Sequence, residues 1–361
     1  MKKLFLPILV LATIATVGCK KDEEESPNNP PTPEDEFTIF DETLAEGVFQ
    51  PMLHLDNIKQ EGNTVMEFSW DGNILTTAKT EEGNCTFSYN GNKLASVANN
   101  KETIQYSYTN NQLNAARILS YGTMLSVRKN FTHTGDKITH IDFDSISPLY
   151  LMTLIQEYVG PLGAKDSKFS LGPSIIETSL EWNGDNVSSE QMEASLIVNI
   201  APSEIARLLD LSSLIRSAIE TSYPNIAPIL TDDIINSIVS FIASQTDEIP
   251  VEIMASLTNS YTYDNARNPL QYYWGEAIDA HSLSANNMLT QTTTTQISAL
   301  AHYTVPADFP LLGTFLGGQN IDLPYNMEPT TTTMSVSYQY NSKNFPTRMT
   351  CEGMTATFKY K

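Results

Sequence analysis

The chain has 361 residues, with 21 lysines and arginines against 42 aspartates and glutamates and a formal charge of −21. A field of that sign excludes nucleic acid and anionic lipid surfaces as partners, because phosphate binding needs the opposite one. Three cysteines, with no Cys-x-x-Cys or His-x-x-x-His spacing, exclude a disulfide framework and give no zinc motif.

At the N-terminus Lys2 and Lys3 precede an apolar run from Leu4 to Thr16 and the small-residue stretch Thr16-Val17-Gly18-Cys19. That run is too short to span a bilayer and reads as a signal peptide over residues 1–18. The stretch resembles the lipobox of bacterial lipoproteins, with Thr16 where leucine is commonest. The resemblance implies cleavage before Cys19 and lipidation of its thiol, so that the membrane is engaged through the N-terminal lipid only. Acyl chains at about 0.8 kcal/mol per buried methylene make such an anchor stable. Lys20-Lys21-Asp22-Glu23-Glu24-Glu25 resembles the lysine-then-acidic signal that sends lipoproteins to the outer face of the outer membrane; the competing reading is a solvated charge run. Pro27, Pro30, Pro31 and Pro33 follow with no apolar residue before Glu36, so residues 19–36 form an anchor and extended tether.

Residues 37–361 carry a repeat. Phe68-Ser69-Trp70-Asp71-Gly72-Asn73-Ile74-Leu75 recurs as Phe87-Ser88-Tyr89-Asn90-Gly91-Asn92-Lys93-Leu94 and as Tyr106-Ser107-Tyr108-Thr109-Asn110-Asn111-Gln112-Leu113. Looser copies lie at Phe131–Ile138, Leu180–Val187, Tyr261–Asn265 and Tyr338–Ser342. Aromatic residues two apart share one face of a strand, and Asp/Asn-Gly accepts the positive φ of a tight reversal. Each unit is therefore a hairpin, and successive hairpins form an antiparallel meander of about fourteen strands, which tends to curl or close.

Between the hairpins the period changes. Ile205, Leu208, Leu209, Ile215 and Ile219 recur at helical spacing after Ser203, and Thr231 caps a second stripe of Ile234, Ile235, Ile238, Val239 and Ile242. With a shorter candidate at Leu149–Val159, these place a helical insertion at about 149–248, filling the concave side of the sheet. The fold class is mainly β, a large curled or closed meander over that insertion.

The hairpins resemble the tyrosine-aspartate repeats of bacterial toxin shells, most closely at Tyr261-Thr262-Tyr263-Asp264. Together with the lipobox, the proline tether and hairpins ending in Asn268-Pro269-Leu270 and Asn344-Phe345-Pro346, they resemble a family of gut-anaerobe lipoproteins of unknown function described as porin-like. That resemblance covers roughly residues 55 to 361 and implies a fold, with no activity attached. A membrane-spanning barrel is disfavoured by the lipid anchor and by the final residue, Lys361, where an aromatic is expected.

Chemistry is sparse. The histidines stand at 54, 133, 140, 281 and 302, and no nucleophile elbow or phosphate loop is present. The sequence thus offers no catalytic residue, cofactor or resident metal, and the expected role is non-enzymatic. His140, Asp142 and Asp144 share one strand face and suit either a hard cation such as calcium or plain solvation. Asp144-Ser145-Ile146 resembles an O-glycosylation acceptor. The threonine runs 292–295 and 330–333 read as strands with a polar outer face. Tyr272, Tyr273 and Trp274 are the candidate ligand-binding residues, since three consecutive aromatics cannot all point inward. Cys85 and Cys351 are expected as separate buried thiols. The expectation is an outer-membrane surface lipoprotein binding a glycan or protein, with a polymer hydrolase and a structural envelope protein as alternatives.

Overall fold

The computed structural model describes residues 54–80, 83–120, 126–144, 169–203, 211–222, 224–225, 228, 230–245, 247–271, 273, 278–305, 317–318, 320–326 and 328–361. The signal, Cys19, the tether, Leu149–Val159, Leu208 and Leu209 lie outside these.

The repeats fold as hairpins. Strands β1 (Leu55–Gln60) and β2 (Asn63–Asp71) lead into β3 (Ile74–Thr80), β4 (Gly83–Asn90), β5 (Lys93–Ala98), β6 (Glu102–Thr109) and β7 (Gln112–Ser120). β8 (Ser126–Thr134), β9 (Lys137–Asp144), β10 (Phe169–Asn183) and β11 (Asn186–Ile200) follow. After helices α1 (Leu211–Ser222) and α2 (Asp232–Ser244) come β12 (Ile249–Arg267), a single helical turn α3 (Ala280–Leu283) and β13 (Asn286–Thr304). β14 (Asn320–Asn326), β15 (Thr330–Tyr340), β16 (Pro346–Cys351) and β17 (Met354–Tyr360) complete the chain. The interval 149–248 is thus not one helical block, because two fifteen-residue strands pass through its middle.

Every strand pairs antiparallel with its neighbours, and β17 pairs with β1, from Leu55↔Tyr360 to Gln60↔Ala356. The meander is a closed barrel. β14 and β15 line successive stretches of β13, so seventeen segments make a ring of sixteen strands. The two strands beyond the expected count form an eighth unit split between the chain ends. Phe358-Lys359-Tyr360 supplies its aromatic pair and β1 its return strand, and the Lys361 amide donates to the His54 carbonyl at 2.9 Å.

In five units the second aromatic ties the unit to the one before. Tyr108 Oη donates to the Leu94 carbonyl (2.9 Å), Trp182 Nε1 to Ile138 (2.7 Å) and Tyr263 Oη to Val187 (2.7 Å). Each acceptor opens the previous return strand. Trp70 and Tyr360 repeat the device on Leu55 and Pro346 across the terminal seam. Lys93 and Lys137, each one residue before such an acceptor, lie over the rings of Tyr108 and Trp182 at 4.5 and 4.8 Å. At the turns Gly91 takes φ +64°, and Asn110 and Asn111, at +53° and +70°, take over where glycine is missing.

One apolar cluster includes residues of all sixteen ring strands, which only the inside of a closed ring allows; Phe68, Leu75, Leu113 and Ile138 are among its most buried members. The segment between β12 and β13 folds into it. Tyr273, 1% exposed, sits against Phe68 and Phe87 with ring centroids 5.9 and 5.8 Å apart. A sixteen-strand ring is wide enough for a channel, but this lumen is filled with side chains at its turn end.

At the other end β10 to β13 rise beyond their shorter neighbours and carry a second core. Leu211, Ile215 and Ile219 of α1 and Ile235, Ile238 and Ile242 of α2 pack with Ile249, Val251, Ala301, Tyr303 and Leu323. The register from Ile249 to Ser260 is unbroken, so Ile249 and Val251 lie on the same face as Asn259 and Tyr261. The helices therefore cover the inner, concave side. Thr231 caps α2 by accepting the Ile234 amide. Cys85 and Cys351 are buried and not joined in a disulfide, and burial pushes the Cys351 pKa up to about 11.

Candidate functional site

Between the two cores the inner wall becomes polar. Register places Glu190 of β11 opposite Asn259 of β12, and Asn259 opposite Thr293 of β13. Glu190 accepts from Tyr261 Oη at 2.7 Å and from Asn259 Nδ2 at 3.2 Å. The Asn259 oxygen accepts in turn from Thr293 Oγ1 (2.7 Å) and Gln291 Nε2 (3.2 Å). Burial, the Glu190 charge and its hydrogen bond push the Tyr261 phenol far above its ordinary range. A chain of neutral donors thus ends on one carboxylate.

Lys129 joins this layer from β8. It is partly buried, with Nζ 5.0 Å from the centre of the Phe143 ring. Desolvation lowers its pKa, while the fields of Asp279 and Glu190 oppose that shift. Asp279 has a structural duty, as its Oδ1 accepts the Ser282 amide (2.9 Å) in a capping box that starts α3. His281 on that turn meets the Tyr261 ring edge-on at 5.8 Å. Next to this layer on the wall, Met192, Ala194, Ala255 and Leu257 are half-buried. The result is a concave strip of amides, hydroxyls and one lysine beside partly accessible apolar groups.

The floor beneath offers less room. A cavity of about 50 Å³ touches Tyr263, Asn268, His281, Asn287, Met334 and Tyr338. That holds roughly three waters, far below the roughly 300 Å³ of a small-molecule site. Asp264 beside it is fully engaged, accepting from the Ala266 amide (2.9 Å), the Asn287 amide (3.1 Å) and the Tyr340 hydroxyl.

The aromatic triplet divides. Tyr273 is core, which leaves it no face for a ligand, and Tyr272 and Trp274 lie outside the described residues. The Thr292–Thr295 run alternates as expected. Thr292 and Thr294 meet Thr333 and Thr331 on the outer face at 3.1 Å each, while Thr293 turns inward to Asn259. His140 and Asp142 do come together on the outer face, with His140 Nε2 3.0 Å from Asp142 Oδ1. Their third partner is Glu177, at 3.7 Å from the same nitrogen. The side chain of Asp144 lies outside the described residues. Glu177 is not legible in the sequence because it reaches His140 only through the β9–β10 register, while the inner strip draws on four strands that no local motif connects.

No family model and no curated protein matches the chain. Solved structures similar to it include two porin-like proteins. A porin-like protein from Bacteroides vulgatus aligns with a TM-score of 0.39 and 9% identity over 86% of this chain and 99% of that one. A porin-like protein from Bacteroides uniformis gives 0.26 and 10% over 88% and 100%. The closed ring rests on the strand pairing above and not on these likenesses.

Proposed function

We propose that this chain is a lipid-anchored outer-membrane lipoprotein facing the cell exterior, whose barrel is a glycan-binding module and not a pore. The observation carrying the reading is the polarity of the wall. Outward positions are Glu67, Ser69, Thr86, Ser88, Gln105 and Ser107, with Ser335 and Ser337 on β15, while their inward neighbours are apolar. A membrane-spanning barrel needs the reverse, an apolar outer band around a polar lumen. Such a wall belongs in water, and the lipobox ending at Cys19 supports attachment by lipid alone.

Glycan binding is supported by the inner strip. Sugars present hydroxyls and apolar ring faces, and the strip offers the partly exposed Gln291 and Thr293, held in place by buried Asn259, beside Met192 and Leu257. Hydrolysis is the weaker reading, because Asp279 is committed to its cap and Glu190 already accepts two neutral donors. The test is a glycan array probed with the full chain in detergent, alongside Glu190→Gln and Asn259→Ala. Retention of one glycan class by the wild type and its loss in both variants is expected. Shortened oligosaccharide products would replace this reading with an enzyme, and an array blank for the wild type would overturn it.

A further inference from the structure

We propose that His140, Asp142 and Glu177 form a zinc-class cation site on the outer face of β9 and β10, separate from the inner strip. Antiparallel register builds it. Asp142 stands opposite Glu177 and His140 opposite Ser179, so four side chains occupy one square of the sheet. The donor atoms of His140, Asp142 and Glu177 converge, all within 4.8 Å of one another. Ligands 2.0 to 2.2 Å from a tetrahedral zinc lie about 3.3 Å apart. The observed 3.0 and 3.7 Å from His140 Nε2 to the two carboxylates bracket that value.

The other imidazole nitrogen is held as well. Nδ1 lies 3.2 Å from Ser179 Oγ, the outer-shell contact that typically orients a metal-bound histidine. The charge arrangement supplies an independent reason for a cation. Register extends the row across β11, placing Glu193 opposite Glu177, so three carboxylates stand side by side on adjacent strands. Like charges directly opposite destabilise a sheet. Among the described residues only His140 lies within ion-pair distance of Asp142 or Glu177. A dication offsets two of these three charges. The nitrogen donor selects zinc and its neighbours over calcium, which takes six to eight oxygens. Side-chain exposures of 32%, 47% and 41% leave room for a water as fourth ligand.

Equilibrium dialysis of the untagged full chain in detergent against zinc chloride alone, with calcium chloride in parallel, tests the assignment. One equivalent of zinc is expected, with calcium much weaker. His140→Ala and Glu177→Gln should each weaken zinc by more than about tenfold, and Ser179→Ala by up to about tenfold through loss of the orienting contact. Glu177→Gln keeps the side-chain shape, so it carries the test if the alanine variant misfolds. Absence of zinc binding by the wild type, or equal binding by Glu177→Gln, would overturn the proposal.

Discussion

Tyr89 and Tyr108 occupy the same position in successive repeats and differ in one bond. Tyr108 donates to the Leu94 carbonyl, whereas the Tyr89 hydroxyl is buried without a partner and burial pushes its pKa up to about 12. Removing a satisfied buried donor costs about 1 kcal/mol or somewhat more, and removing an unsatisfied one relieves a desolvation cost. Tyr108→Phe should therefore destabilise the barrel by about 1 kcal/mol in denaturant unfolding, while Tyr89→Phe is neutral or stabilising. Glu102 points inward from the start of β6 at 7% exposure. Burial raises its pKa, and Lys101 only partly offsets this. A raised carboxyl pKa means that the folded state holds the proton more tightly, so the charge costs stability at pH 7 and the cost fades as pH falls toward 4. Glu102→Gln should raise the thermal midpoint at pH 7 and lose most of that gain at pH 4.

The helices and hairpins show what local sequence does and does not carry. Aromatic-x-aromatic pairs followed by Asp/Asn-Gly specify strand, face and turn within eight residues, so the repeats were legible. Stripes in α1 and α2 likewise predicted a buried face, and Ile235, at 2% exposure, is core. Ile235→Ala should cost about 2 to 5 kcal/mol in denaturant unfolding. An exposed stripe would lose far less. The helices' place at one end of the barrel was not legible, because it depends on β10 to β13 outgrowing their neighbours. Their lengths of 15 and 19 residues exceed the six to nine of β1 to β9. The same limit hid Glu177, whose meeting with His140 is a property of two strands and not of either.

For the whole molecule, the uncounted unit was the one that closes the ring. Its aromatic pair and its return strand lie about 300 residues apart, so no window along the chain contains both. That seam has a consequence for assembly. Every other pairing in the ring can form as the chain lengthens, but β1 must wait for the last strand. Until then a partly made sheet carries two unsaturated edges, each a template for another chain. Closure of so distant a contact is also slow, since its entropy is lost before any pairing is gained. A chain lacking the last strand, Met354–Tyr360, should therefore remain an open sheet with two adhesive edges.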